Sequence, residues 1–296
     1  MANTNNGVNL DVLSMTSLDV LKTEGIPLSS FTTDFTGDIM SRGETVTTRF
    51  AGLPTVKDFT AGKSADDQST TSRTITLDTY RGVSMAFTDL ERTYSPLELA
   101  ELFVRPAISQ LVDDTINNIL SLVTAASFTN NVVVADGALD ADTVADLAGG
   151  LSSRKVPQAG RSLIIKPTNM ASLTKDGAIH AASDGPAGTG PIKEHRLPRL
   201  HGFDVKEYNG TIPTNSEGLA GIACGKQGLI IAARQVVAPK EGTWYGNVIN
   251  IQDEASGLPI QIREYYDNAV GLCYEFGILY GYKVGISNYL TRISTV

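Results

Sequence analysis

An α+β fold is predicted, built around one long helix and a group of strands that closes the chain, and three observations carry it. Ile108, Leu111, Val112, Ile116, Ile119 and Val123 recur at three- and four-residue spacing opposite Gln110, Asp113, Asp114, Asn117 and Asn118, the period of an amphipathic helix. Leu272, Tyr274, Phe276, Ile278, Tyr280, Tyr282 and Val284 share one parity, with Gly277, Gly281 and Gly285 on the other, the period of strands with one heavy apolar face. Between these two stretches helix and strand patterns alternate.

Residues 1–41 mix Asn, Thr, Ser and Asp with scattered Leu10, Leu13, Leu18, Leu21, Ile26, Phe31 and Phe35, and no helical or strand period persists. The segment is too apolar for a disordered tail and too unpatterned for a core of its own, so it reads as an arm ordered by lying on another surface. Val46, Thr48 and Phe50 then alternate against Thr45, Thr47 and Arg49, and this strand runs out into GLPTVKDFTAGKSADDQSTTS, rich in turn formers. Ile75, Leu77 and Thr79 share a parity that resumes with Val83, Met85 and Phe87 after Gly82, so the returning ribbon is expected to bend or turn at that glycine. An isolated two-stranded hairpin is marginal in water, and this one is expected to rest on a neighbouring surface.

Ser95, Pro96 and Glu98 spell a helix start: a serine to accept an early amide, proline in the first turn and a glutamate reaching back. Pro106 removes one intrahelical hydrogen bond and is expected to kink or restart the helix. The amphipathic run beyond it makes a rod of about 20 residues, roughly 30 Å. A shorter helix is expected over 140–152, where Val144, Leu147, Ala148 and Leu151 follow Asp140 and Asp142. SLIIKP then reads as a buried strand, TNMASLTK as a short helix, and further strands fall near 203–207, 220–224, 229–233 and 247–251. In the closing strands the glycine parity leaves room for another backbone to approach closely.

Composition narrows the function classes. With 296 residues, 42% of them apolar, the chain can bury about 75% of its unfolded surface in one large or two modest cores. No apolar run approaches the ~20 residues that cross a bilayer, and the opening MANTNNGVNL lacks the basic end and apolar stretch of a secretory signal. A soluble chain with no membrane partner is expected. Cys224 and Cys273 sit among apolar neighbours 49 positions apart, a pattern of core packing rather than of a disulfide framework. The net charge of -8 argues against general affinity for nucleic acid. Charge is nonetheless uneven: residues 73–150 hold 4 basic and 11 acidic side chains, while 151–210 hold 9 and 5. Either these are two solvated faces of unlike sign, or they meet between copies of the chain and set their register.

Chemistry-bearing motifs are missing. His180, His195 and His201 have spacings that match no zinc pattern. No Gly-x-Ser-x-Gly elbow occurs. GIACGKQG at 221–228 departs from the phosphate-loop pattern because Gln227 follows Lys226, and it reads as a turn between strands. Asp113 with Asp114, and Asp253 with Glu254, are adjacent and point apart. No catalytic residue, cofactor or metal is expected.

The order of parts resembles the major capsid proteins of tailed bacteriophages, the Hong Kong 97 type fold. The resemblance runs through TITLDTYRGVSMAFTDLER entering SPLELAELFVRPAISQLVDDTINNIL, then LSSRKVPQAGRSLIIKPTNMASLTKD, LHGFDVKEYNG and QIREYYDNAVGLCYEFGILYGYKVG. It implies an N-terminal arm over 1–41 and an extended loop over 42–85. A peripheral domain follows over 86–138, with a spine helix over 95–125, then an axial domain over 139–255, and the peripheral domain returns over 256–296. It also implies a homo-oligomer of pentamers and hexamers in an icosahedral head, assembled in the host cytoplasm around double-stranded DNA that is held without sequence-specific contacts. A separate scaffolding protein, a portal protein and a possible decoration protein are the expected partners. Lys57 and Lys63 lie in the implied extended loop, and Lys193, Arg196 and Arg199 in the basic loop of the axial domain; these five are the candidate inter-subunit contacts, with no covalent cross-link assigned. Two alternatives are an encapsulin-like nanocompartment shell, which uses the same fold, and an enzyme of unfamiliar α+β type.

Overall fold

Two six-stranded sheets and one two-stranded ribbon take up the strands. The computed structural model describes residues 10–39, 42–51, 55–60, 62, 70–88, 96–179, 197, 199–237, 246–252, 258–269 and 271–295. The first sheet runs in the order β1 (Thr32–Ile39), β10 (Leu229–Gln235), β13 (Gly271–Val284), β12 (Pro259–Asp267) and β11 (Gly246–Gln252), and β4 (Thr79–Phe87) also pairs with β13. The second runs β5 (Asn131–Val133), β14 (Leu290–Ser294), β9 (Leu219–Gly225), β6 (Arg161–Ile165), β8 (Phe203–Glu207) and β7 (Arg199–Leu200). The ribbon joins β2 (Thr45–Ala51) to β3 (Thr70–Thr76). The sheets do not follow chain order: β10 and β11 stand beside the late strands of the first sheet, and β14 returns to the second.

β13 organises the first sheet because its 14 residues serve three partners. Along one edge it pairs with β12 from Gly271 to Gly277 and with β10 from Leu279 to Val284. Along the other it pairs with β4 from Leu272 to Tyr280. Its heavy parity faces a helix, α2 (Pro96–Leu120), so that Tyr274, Phe276, Ile278 and Tyr280 share one core with Val104, Ile108, Leu111, Val112, Ile116 and Ile119. Ile164, Ile222 and Cys224 of the second sheet close the same core. On the far face of the second sheet, α3 (Ala141–Ser153) and α4 (Pro167–Lys175) contribute Val144, Leu147, Leu151, Met170 and Leu173 to a second core with Leu163, Phe203 and Ile293. Asp140 starts α3 as anticipated: its carboxylate accepts the Thr143 amide at 2.8 Å, and hydrogen bonds from the Thr143 side chain and then its amide lower the Asp140 pKa.

Three expectations are corrected. The arm is regular rather than patternless, and it lies on its own chain: residues 10–24 form α1 (Leu10–Glu24) against α2, a 3-10 turn spans Ile26–Ser30, and β1 adds in parallel to β10. Val20, Leu21, Leu28 and Phe31 are buried in the main core. Its helical period is hidden in the sequence because Ser17, completely buried, occupies a position where an apolar residue would have shown it. The ribbon breaks at Leu77 and Asp78 rather than at Gly82, which sits inside β4. A Cβ on Gly82 would stand 2.8 Å from the Phe276 carbonyl, so this glycine serves close strand packing, not a bend. Finally, of the two outcomes expected at Pro106, a kink or a restart, the restart does not occur: α2 continues through it as one helix of 25 residues. The Ser95 cap lies outside the described residues.

The glycine parity of β13 behaves as its sequence anticipates. A Cβ on Gly281 would run into the Thr76 carbonyl and lie 2.9 Å from Ile75 Cγ2, because the end of β3 crosses there. A backbone oxygen cannot swing aside. Gly281→Ala is therefore expected to cost about 1–3 kcal/mol as an overpacked site, read as a lower urea midpoint at unchanged slope.

Candidate assembly surfaces

The ribbon is bonded at its base and bare at its tip. Residues Thr45 through Ala51 pair antiparallel with Thr76 through Thr70. Val46 and Phe50 lean on a small cluster of Ile75, Leu77, Ile230, Ala232 and Leu279. The root is tied four times: the Gly43 amide donates to the Leu77 carbonyl at 2.7 Å, the Leu77 amide to Glu44 at 2.9 Å, Arg42 Nε to Asp78 at 2.9 Å, and Lys283 Nζ to Thr74 at 2.9 Å. Past β2 the packing ends. Val56 is 96% and Phe59 59% exposed, only three positions apart on a segment outside any strand or helix. Two large apolar side chains presented this way have no cover within the described residues, the condition of a surface made to be covered.

Of the five candidate contact residues, two are described. Lys57 lies half-buried between those apolar residues. Next to it, hydrogen bonds from the Thr60 hydroxyl and amide fold 58–60 into a local turn and lower the Asp58 pKa. Arg199 opens β7 opposite Asp204 and is exposed. Lys63, Lys193 and Arg196 lie outside the described residues, as do His180 and His195. His201 is exposed in the β7–β8 turn, in a left-handed conformation with φ 46°.

Among the described residues, buried charged side chains form joints between elements distant in sequence. Arg292 on β14, 7% exposed, forms an ion pair with Glu217, and its Nε donates to the Phe128 carbonyl at 2.8 Å. Glu217 also accepts the Ala125 amide at 2.7 Å, and Asn215 Nδ2 donates to the Leu120 and Val123 carbonyls at the end of α2. The free carbonyls at this helix terminus are thus bound to the second sheet. Lys206 on β8 does the same for the arm: its Nζ donates to Ser29 Oγ at 2.6 Å, Ser30 Oγ at 2.8 Å and the Ile26 carbonyl at 3.3 Å. Burial draws the pKa of this ammonium down. Nothing in the sequence marks these joints, because their partners lie 75 to 180 positions apart.

A cavity of about 190 Å³ opens beside the second joint, lined by Glu24, Ser109, Asp113, Glu207 and Tyr208. Burial raises the Tyr208 pKa, and its hydroxyl reaches the Asp113 carbonyl at 3.4 Å. These walls offer carboxylates and a protonated phenol but no activated nucleophile. Among the described residues, no group of three or more His, Cys, Asp and Glu side chains gathers to hold a metal ion. Cys224 and Cys273 are free, buried, and in different sheets; burial pushes the Cys224 thiol up to about 12, far from reactive.

No protein-family model and no curated protein matches the chain. Solved structures do match. A structure from Mycobacterium phage Che8 is 17% identical, with 93% of this chain and 88% of that one aligned at a TM-score of 0.57. The capsid structure of the cyanophage P-SCSP1u is 12% identical over 90% of this chain and 86% of its own, TM-score 0.60. The virus-like particle from Pyrococcus furiosus is 11% identical over 96% and 98%, TM-score 0.51. The chain has the fold of phage capsid subunits, the Hong Kong 97 type that its sequence resembles.

Because Arg292 is buried, removing its partner leaves an uncompensated charge. Glu217→Ala is expected to destabilise the chain by about 3 kcal/mol, measured by urea denaturation of the unassembled protein. Arg292→Met in the same background is expected to recover part of that loss.

Proposed function

We propose that this chain is the major capsid protein of a tailed phage, assembling as pentamers and hexamers into an icosahedral head around double-stranded DNA. One observation carries the reading: nearly the whole chain shares its fold with a phage capsid subunit. The ribbon fits it, with a root fixed to its own subunit and an apolar tip, Val56 and Phe59, left for a neighbour.

In this reading the ribbon belongs to the extended loop, residues 42–85, behind an arm of 1–41. The first sheet and α2 build the peripheral domain, 86–138 and 256–296. The second sheet with α3 and α4 builds the axial domain, 139–255; β10 and β11 cross to the peripheral sheet, and β5 and β14 cross to the axial one. Lys57, Lys63, Lys193, Arg196 and Arg199 serve as contacts between subunits, and the chain performs no catalysis.

Assembly follows from sums of modest terms. Burying a side chain such as Val56 or Phe59 is worth about 1.5–3 kcal/mol. A subunit held by one such contact meets its other neighbours at high effective concentration, and closed symmetry ends growth. The net charge of -8 suits a wall that encloses DNA without gripping its phosphates. Scaffolding, portal and decoration proteins complete the head, which forms in the host cytoplasm and persists in the virion.

A second reading is a nanocompartment shell of the same fold; a virus-like particle from Pyrococcus furiosus is among the structures matched. The contents of purified particles, DNA or protein cargo, separate the two.

Negative-stain microscopy of the expressed chain, alone and with a scaffold, is expected to show hollow closed particles. A compact monomer whose ribbon resists proteolysis under every condition tried would reject the shell. Val56→Ser with Phe59→Ser is expected to lower particle yield at least tenfold, about 1.4 kcal/mol per subunit or more, while the melting temperature of the free subunit stays unchanged.

A further inference from the structure

The two oppositely charged stretches of the chain meet the second sheet at its two ends. β5 and β7 are its edge strands, each paired on one side only among the described residues. Five interstrand steps separate them, about 24 Å, so side chains on one edge cannot reach the other within a single subunit. At the β5 edge, α3 lies alongside: Asn131 and Val132 share a groove with Asp146, Leu147, Gly150 and Arg154, whose guanidinium is turned to the Thr291 hydroxyl and the Gly150 carbonyl. No Lys or Arg occurs between Arg105 and Arg154. Asp142 and Asp146 stand one turn apart on α3, both exposed. Like charges at this spacing weaken a helix slightly; Asp142 is compensated by the helix N-terminus, whereas Asp146 lies beyond its reach. At the β7 edge Arg199 is exposed, in register with Asp204 of β8 but not ion-paired to it, and is preceded in sequence by Lys193, Glu194 and Arg196. Among the described residues, none of Asp142, Asp146 and Arg199 enters an ion pair.

Resting on the shell reading, we propose that the β7 edge of one copy docks on the β5–α3 edge of the next, with Arg199 of the incoming copy set between Asp142 and Asp146. The contact is heterologous, one edge against a different edge, so repetition continues past a pair and closes a ring when the rotation between copies divides the circle. An arginine fork suits two carboxylates held one helical turn apart. The pairing fixes the direction in which copies follow one another, since acidic edges repel each other.

Disulfide trapping tests this in the full-length chain, with Cys224 and Cys273 buried. Asp146→Cys combined with Arg199→Cys, oxidised with diamide, is expected to give a ladder of cross-linked multimers on a non-reducing gel, and each single variant a monomer band. Separately, Asp142→Lys with Asp146→Lys, and Arg199→Glu, should each cut particle yield about tenfold, with the combination restoring it to within about threefold of the starting chain. A double-cysteine chain that stays monomeric on the gel, while the unaltered chain still closes into particles, overturns the edge contact and keeps the shell. Charge variants that assemble normally, or a combination that restores nothing, also overturn it. A ladder from a chain that never closes into particles supports the contact and removes the shell reading.

Discussion

Most of the molecule leans on the contact between the apolar face of β13 and the inner face of α2. Tyr274, Phe276, Ile278 and Tyr280 pack against the helix, and Asn118 Nδ2 donates to the Tyr280 hydroxyl at 2.8 Å, so the one polar atom that this tyrosine brings inside is satisfied. Because β13 also carries β4, β10 and β12, whatever orients it against α2 orients the ribbon root, the arm strand through β10, and the late hairpin together. A single packed face thus fixes the positions of elements that function at the periphery.

The joints extend that rigidity to the second sheet. Arg292 with Glu217 ties the far end of α2 to β14, and Lys206 ties the arm to β8. Both use buried or half-buried charges satisfied by several acceptors. Such groups add little net stability over apolar packing but penalise any arrangement in which they lose their partners. The two sheets therefore hold one relative geometry.

Much of this was legible in the residues themselves. The amphipathic period of α2, the parity of β13, the Asp140 start of α3 and the buried strand at 161–165 all announce themselves, because each is a local pattern repeated over several positions. The glycines opposite Tyr280 and Tyr282 even anticipated the crossing of β3. What escaped was either interrupted or non-local. Ser17 breaks the helical period of the arm, and the arm's docking on its own core follows from contacts with α2 and β10 that no short window contains. The break at Leu77 and Asp78 is marked only by Asp78, a weaker cue than Gly82. Lys57 drew attention as a charge, while the apolar Val56 and Phe59 beside it were the more informative exposures.

The joint at Leu77 and Asp78 gives the ribbon the mechanics of a lever. Its seven-residue strands span about 24 Å, so a tilt of about 10° at the root, taken up by two residues, would carry the tip through about 4 Å by simple geometry. In the shell proposed above, small angular differences between otherwise identical subunits would thereby be amplified at their outer reach, letting one sequence fit both flat and sharply curved surroundings.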